Sequence, residues 1–174
     1  MVKLNAKQLR KSEPLPDSLN KVKRNPIVFV LDEILDTFNI GSMFRLADAV
    51  GVEKMYLCGE METPPNTKIH QAAVGTENWI DWEHKKSTVR VVNKLKKDGY
   101  QIVSIEQDKR SVPYLKFEPK FPLALVLGHE TKGVQKKVLD KSDFIVELPM
   151  VGINKSFNVW GSASVVAYRL LEYL

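Results

Sequence analysis

The sequence predicts an α/β domain, a mostly parallel sheet with helices on both faces. Two apolar runs of strand length, Ile27-Val28-Phe29-Val30-Leu31 and Leu123-Ala124-Leu125-Val126-Leu127, are continuous rather than alternating, as in strands buried on both sides. Such runs take turns along the chain with segments of helical apolar spacing, which is the pattern of crossover connections. Several runs also empty into Gly-bearing polar loops, the position at which open α/β sheets take their ligands.

In chain order, residues 1–25 form a basic arm and residues 26–174 the domain. Pro14 and Pro16 divide the arm into a short basic helix and a linker. After the first strand, Ile27 to Leu31, a helix is predicted from about Asn39 to Val50. Ile40, Met43, Phe44, Ala47 and Val50 make its apolar face, and Gly51 stops it. Met55 to Cys58 is a second strand. Thr67 to Val74 is a short helix ended by Gly75, and Trp79 to Trp82 a short strand. Ser87 caps a helix to about Asp98, with Val89, Val92 and Leu95 inward and Lys94, Lys96 and Lys97 outward. Tyr100 to Ile105 is a strand and Pro113 to Pro122 is irregular. Leu123 to Leu127 is the next strand, Gly133 to Leu139 a short helix and Phe144 to Leu148 another strand. A last helix runs from Ser156 to the end.

Composition bounds the function classes. At 174 residues and 44% hydrophobic, the chain has material for one well-cored domain. No apolar run reaches membrane-spanning length, and the N-terminus lacks the apolar stretch of a secretory signal, so a cytoplasmic protein is expected. The single cysteine, Cys58, rules out an intrachain disulfide and a cysteine zinc cluster. His70, His84 and His129 are scattered, so no metal is assigned. Lys+Arg number 26 against 21 Asp+Glu, and the excess is concentrated in the arm. There Lys3, Lys7, Arg10, Lys11, Lys21, Lys23 and Arg24 face only Glu13 and Asp17, which fits phosphate contact and equally a solvated tail.

Three loops carry the polar chemistry. Asn39-x-Gly41-x-x-x-Arg45 reads either as an Asn cap with a surface arginine or as an anion or ribose site on free N–H groups at a helix N-terminus. Gly128-His129-Glu130-Thr131-Lys132-Gly133 has the two glycines of a phosphate loop. Val134 and Gln135 stand where that loop needs Lys and Ser/Thr, which excludes a nucleoside triphosphatase. Gly133 also stands where a zinc-protease helix needs its second histidine, and no strand is followed by a dinucleotide glycine fingerprint. Leu148-Pro149-Met150-x-Gly152 leads to Ser156-Phe157-Asn158-Val159 and a helix start.

Taken in order, the three runs resemble the motifs of the SpoU/TrmH family of RNA 2′-O-methyltransferases. Asn39 to Gly51 resembles the first, Leu125 to Val134 the second, and Leu148 to Gly152 with Ser156 to Val159 the third. The resemblance covers about residues 26–174. It implies the SPOUT fold, a Rossmann-like sheet whose C-terminal segment forms a deep trefoil knot. It also implies a homodimer with the active site near the subunit interface. Trp160, Val165, Val166, Tyr168, Leu170 and Leu171 of the last helix offer apolar surface for that interface or for the monomer core.

By the same resemblance S-adenosylmethionine is the cofactor. Gly128, Leu148 and Phe157 contact it through the backbone, and Leu127 and Met150 wall its pocket. Asn39, Arg45, Glu130, Ser156 and Asn158 form the catalytic and substrate-positioning set. Two positions depart from the family pattern: Phe157 replaces a usual leucine, and Trp160 a usual small residue. A guanidinium does not give up its proton in proteins, so Arg45 is assigned as a clamp on an RNA phosphate that also stabilises developing alkoxide. Glu130 reads as an organiser of the loops or as an RNA-positioning group, and Ser156 and Asn158 as caps of the final helix that hold the Arg45 side. The first motif points to tRNA as substrate, with rRNA as the alternative. A non-catalytic RNA-binding or assembly factor on the same fold is the competing class, and base methylation the competing chemistry.

Overall fold

The structure, a computed structural model, describes residues 5–11, 14 and 16–174, without the side chain of Ser18. Lys3 and Glu13 of the basic arm lie outside the described residues. Within the arm are two single helical turns, α1 (Ala6–Leu9) and α2 (Pro16–Leu19). The first is closed by a capping box between Asn5 and Gln8.

The sheet has seven strands: β1 (Asn25–Asp32), β2 (Val52–Cys58), β3 (Trp82–Lys85), β4 (Gln101–Ile105), β5 (Val112–Pro113), β6 (Leu123–Gly128) and β7 (Phe144–Glu147). Their order is β3-β2-β1-β6-β4-β7-β5, and every pairing is parallel. β1 shows why the apolar run does not alternate. Ile27, Phe29 and Leu31 enter one buried cluster and Val28 and Val30 the other. The first cluster takes in α3 (Thr37–Ala49), α4 (Thr67–Ala73) and α7 (Val159–Leu171); the second takes in α5 (Thr88–Lys97) and α6 (Lys136–Leu139). No helix among the described residues is long and apolar enough to cross a membrane.

Several boundaries move, each for a local reason. α3 begins before Asn39 because Asp36 is its cap: Asp36 Oδ1 accepts from the N–H of Phe38 at 2.7 Å and of Asn39 at 3.2 Å. Asn39 is therefore not the cap, those N–H groups are not free for an anion, and Arg45 lies well beyond the first turn. Trp79 is not in a strand. Its indole Nε1 turns back to Asp48 Oδ1 of α3 at 2.8 Å, residues Thr76–Asn78 form a 3-10 turn, and pairing with β2 starts at Trp82. The stretch from Gly133 does not coil at once, because the Val134 N–H is taken by Glu106 Oε2 at 2.8 Å; α6 starts only at Lys136. α7 starts at Val159, capped by Asn158 and not by Ser156, and residues 151–158 precede it as an exposed loop.

Gly41 is a packing glycine. An added Cβ would sit 2.5 Å from the Ile69 carbonyl oxygen and 2.6 Å from Ala72 Cβ, so only a bare backbone lets α3 lie this close to α4. Gly41→Ala is expected to lower stability by about 1–3 kcal/mol, the usual range for overpacking. Denaturant unfolding checks this; a midpoint equal to the wild type would mean the two helices separate without cost.

Candidate active site

Four loops leave the carboxyl ends of β1, β4, β6 and β7 on the same edge of the sheet, where parallel α/β folds bind ligands. Three of them frame a cavity of about 570 Å³. Its walls include Leu127, Leu148, Met150 and Phe157, with Gly128 at the base of the β6 loop. All five residues assigned by resemblance to the cofactor thus come together. Of the catalytic set, Glu130, Ser156 and Asn158 also line the cavity.

Asn39 stands behind it and forms the middle of a relay. Glu130 Oε1 accepts from Asn39 Nδ2 at 2.9 Å, and Asn39 Oδ1 accepts from Asn158 Nδ2 at 3.1 Å. Asn158 Oδ1 in turn accepts from the N–H of Trp160 at 2.9 Å and of Gly161 at 3.4 Å. The other side of Glu130 closes on the β1 loop, accepting from the N–H of Leu35 at 3.1 Å and of Asp36 at 3.0 Å. The Glu130 carboxylate thereby ties the β6 loop to residues 35–39, and through Asn39 the chain of bonds reaches a third remote segment at Asn158. Partial burial pushes the Glu130 carboxyl up, but the bonds from Asn39 and from backbone N–H groups outweigh it and hold it below the ordinary glutamate value.

Arg45 is not in this group. It is exposed on α3, does not line the cavity of its own chain, and forms no ion pair among the described residues. Phe38, on the same side of the helix, is also exposed (53%).

The sequence left out several wall residues. Ile105, Glu106 and Gln107 come from the β4 loop, and His129, Thr131, Gly133, Glu147, Val159 and Ser162 complete the wall. The signal for the β4 group was its place at the end of an apolar strand, the same cue that marks the other loops. Glu106 braces the β6 loop through Val134, and Gln107 Nε2 braces the β7 loop by donating to the Lys155 carbonyl at 2.6 Å. Gly133 is needed for its left-handed φ of 68° and because any side chain would strike the Glu106 carboxylate. At Gly128 a Cβ would collide with the backbone of Gly133 and Val134, where the loop curls back on itself.

Residues 26–168 match the family described as the SpoU rRNA methylase family. The chain belongs to that family. A TrmH family tRNA/rRNA methyltransferase of Bacillus subtilis is 30% identical over 145 residues, which span 83% of this chain and 58% of that protein. The chain therefore spans less than two thirds of this relative's length. Among solved structures, an rRNA methyltransferase of Sinorhizobium meliloti with AdoMet bound superposes with a TM-score of 0.80 at 20% identity, covering 95% of this chain and 60% of that one. A structure concerned with the 2-OH methylation of C/U34 on tRNA superposes with a TM-score of 0.75 at 20% identity, covering 86% of this chain and all of that one. At these identities the likeness shows the fold, an α/β domain on a parallel sheet.

Glu130→Gln keeps the size of the side chain and removes its charge. A carboxyl held low in the folded state adds stability above its unfolded value of about 4.3, and loses it as pH falls through the folded value. The variant should melt below the wild type at neutral pH, and the gap should narrow as pH falls below the unfolded value and vanish below the folded one. Melting curves across pH check this; a gap that stays constant down to acid pH would remove the charge from the account.

Proposed function

We propose that this protein is an S-adenosylmethionine-dependent RNA methyltransferase acting on a ribose 2′-hydroxyl, with tRNA favoured and rRNA second. The observation that carries the reading is the relay from Glu130 through Asn39 to Asn158, which ties the first family motif to the two whose loops line the cavity. Membership of the family supports methyl transfer to RNA. The tRNA methylation named for one structural neighbour supports the sugar hydroxyl and the tRNA.

The cavity fits the cofactor on chemical grounds. Its volume lies in the range of about 300–1,000 Å³ typical of small-molecule sites. Leu127, Leu148, Met150 and Phe157 supply apolar walls for an adenine ring. The lining contains Glu106, Glu130 and Glu147 and no lysine or arginine. That balance suits a sulfonium and an ammonium, and it disfavours cofactors that carry phosphates.

When bound, S-adenosylmethionine supplies the electrophilic methyl group. The chain's own residues have three tasks: to enclose, to orient and to manage charge. In this reading the backbone of Gly128, Leu148 and Phe157 holds the donor. Asn39 and Glu130 fix the loops, and Ser156 and Asn158 hold the edge at which the sugar arrives. Arg45 stays cationic, grips the neighbouring phosphate and stabilises negative charge growing on the 2′-oxygen.

The same proposal includes a C-terminal segment threaded as a deep trefoil knot, an arm of residues 1–25 before a catalytic domain of residues 26–174, a cytoplasmic location, and a homodimer. Pairing is supported by Arg45, which is exposed and away from its own cavity, and by the exposed Phe38, Trp160, Val165 and Tyr168 on α3 and α7. In the dimer, the interface brings Arg45 to the mouth of a cavity.

The decisive experiment incubates the protein with methyl-labelled cofactor and total RNA, followed by mapping of the modified nucleoside. A label on a 2′-oxygen is expected; a methylated base would overturn the ribose assignment. Arg45→Ala should cut turnover by about 100-fold or more while cofactor affinity holds within about twofold. Undiminished turnover would take Arg45 out of the mechanism. Asn158→Ala should reduce turnover and also stability, the latter by about 1 kcal/mol for the lost cap.

A further inference from the structure

Around the cavity the charges are unevenly placed. Asp32, at the end of β1, is 1% exposed and has no cationic partner among the described residues. Its oxygens accept instead from the Thr88 hydroxyl, from the Gln135 N–H at 2.8 Å and from Gln135 Nε2 at 2.7 Å. Thr88 is the first residue of α5, and Gln135 is the cap position of α6. One buried carboxylate thus pins the beginnings of both helices side by side, at the same edge of the sheet as the cavity.

The flanking residues are basic. Lys86 and Arg90 stand on either side of Thr88, and Lys132, Lys136 and Lys137 surround Gln135. All five are exposed. None of their side chains has a carboxylate partner among the described residues, a state shared with exposed Lys97, Lys120 and Lys155; what sets the five apart is that they gather around two helix starts that one carboxylate joins, while several cations elsewhere are paired. Lys54 and Lys85 pair with Glu83, Lys94 with Asp98, Lys96 with Asp143, and Arg110 with Asp108 and Asp140. Nearby carboxylates do not neutralise the five. Asp32 is turned to its neutral donors, the Glu33 side chain lies against Gly59, and Glu106 faces the N–H groups of Val134 and Gln107, so none of these carboxylates forms an ion pair with the five among the described residues. The cluster also adjoins the cavity, because Lys132 sits between Thr131 and Gly133, which both line it.

The basic arm, the place where the sequence alone suggests phosphate contact, lies on the other layer. Arg10 donates to the Gln71 carbonyl at 3.3 Å, and the Arg10 carbonyl faces His70 Nε2 at 3.2 Å, both at α4.

We infer that the RNA backbone crosses the rim where α5 and α6 begin, with Lys86, Arg90, Lys132, Lys136 and Lys137 as its phosphate contacts. This rests on the RNA methyltransferase reading. A polyanion is the occupant matching five clustered cations without ion-pair partners among the described residues, beside a cavity lined by no lysine or arginine. Regular charge spacing along a nucleic acid strand suits contacts spread over two helix starts and a loop. Contacts of this kind set affinity and register without reading sequence.

The test uses the full chain with all five changed to Gln, and two partial variants, Lys86→Gln/Arg90→Gln and Lys132→Gln/Lys136→Gln/Lys137→Gln. Affinity for unfractionated tRNA is measured between 50 and 200 mM salt, with about these limits chosen to expose counterion release. Each lost phosphate contact should reduce the slope of log affinity against log salt by about 0.7–0.9, and the five-site variant should bind at least about tenfold more weakly at the low-salt end. Cofactor affinity should hold within about twofold, and Lys21→Gln/Lys23→Gln in the arm should leave the slope unchanged. If the partial variants keep wild-type affinity and slope while the wild type binds and methylates RNA, the rim is wrong and the enzymatic reading stands. A wild type that neither binds nor methylates RNA overturns both.

Discussion

The Glu130 carboxylate accepts hydrogen bonds from one side chain and two backbone N–H groups that belong to a different part of the chain. Its neighbours depend on it. The turn at Leu35 and Asp36, which sets up the cap of α3, is held from the β6 loop. Asn39 is oriented so that its carbonyl oxygen meets Asn158, and Asn158 fixes the first turn of α7. Because every donor is neutral, the group keeps its negative charge, and its hydrogen bonds resist the upward push of burial. A lysine or arginine partner would have tied the loops and cancelled the charge; this arrangement does the first without the second.

A similar economy governs Asp32. A buried carboxylate that no cation pairs with among the described residues is costly unless hydrogen bonds replace its water, and here a hydroxyl, an amide side chain and a backbone N–H do so. Together Asp32 and Glu130 organise the two faces at the carboxyl edge of the sheet. One locks the start of α5 to that of α6; the other locks α3 to the loop before α7. The central strands, buried on both faces, supply the rigid base on which both locks rest.

Much of this was legible in the chain. β1 and β6 stand out because no polar residue interrupts them, and α5 because Ser87 precedes a clear apolar stripe. The five residues that the family resemblance assigns to the cofactor all line one cavity. What could not be read was decided by partners far away. Asn39 looks like a cap until Asp36 is seen to take the N–H groups. Gly41 looks like a ligand glycine until α4 is laid against it. Trp79 has strand propensity, but Asp48 captures its indole. Glu106 and Gln107 carry no pattern of their own; they matter because the loops they brace, around Val134 and Lys155, are brought to them by the fold. Arg45 sits in a strong motif, yet its surroundings in a single chain do not complete a site.

The cavity lining, three glutamates and no lysine or arginine, has a consequence for what can enter it. A phosphodiester is repelled from such an interior, whereas a neutral sugar edge is not. The pocket thus works as an electrostatic sieve: anionic groups are kept at its rim, while neutral or cationic ones pass inward. Selection is then imposed by exclusion as much as by attraction, before any shape is matched.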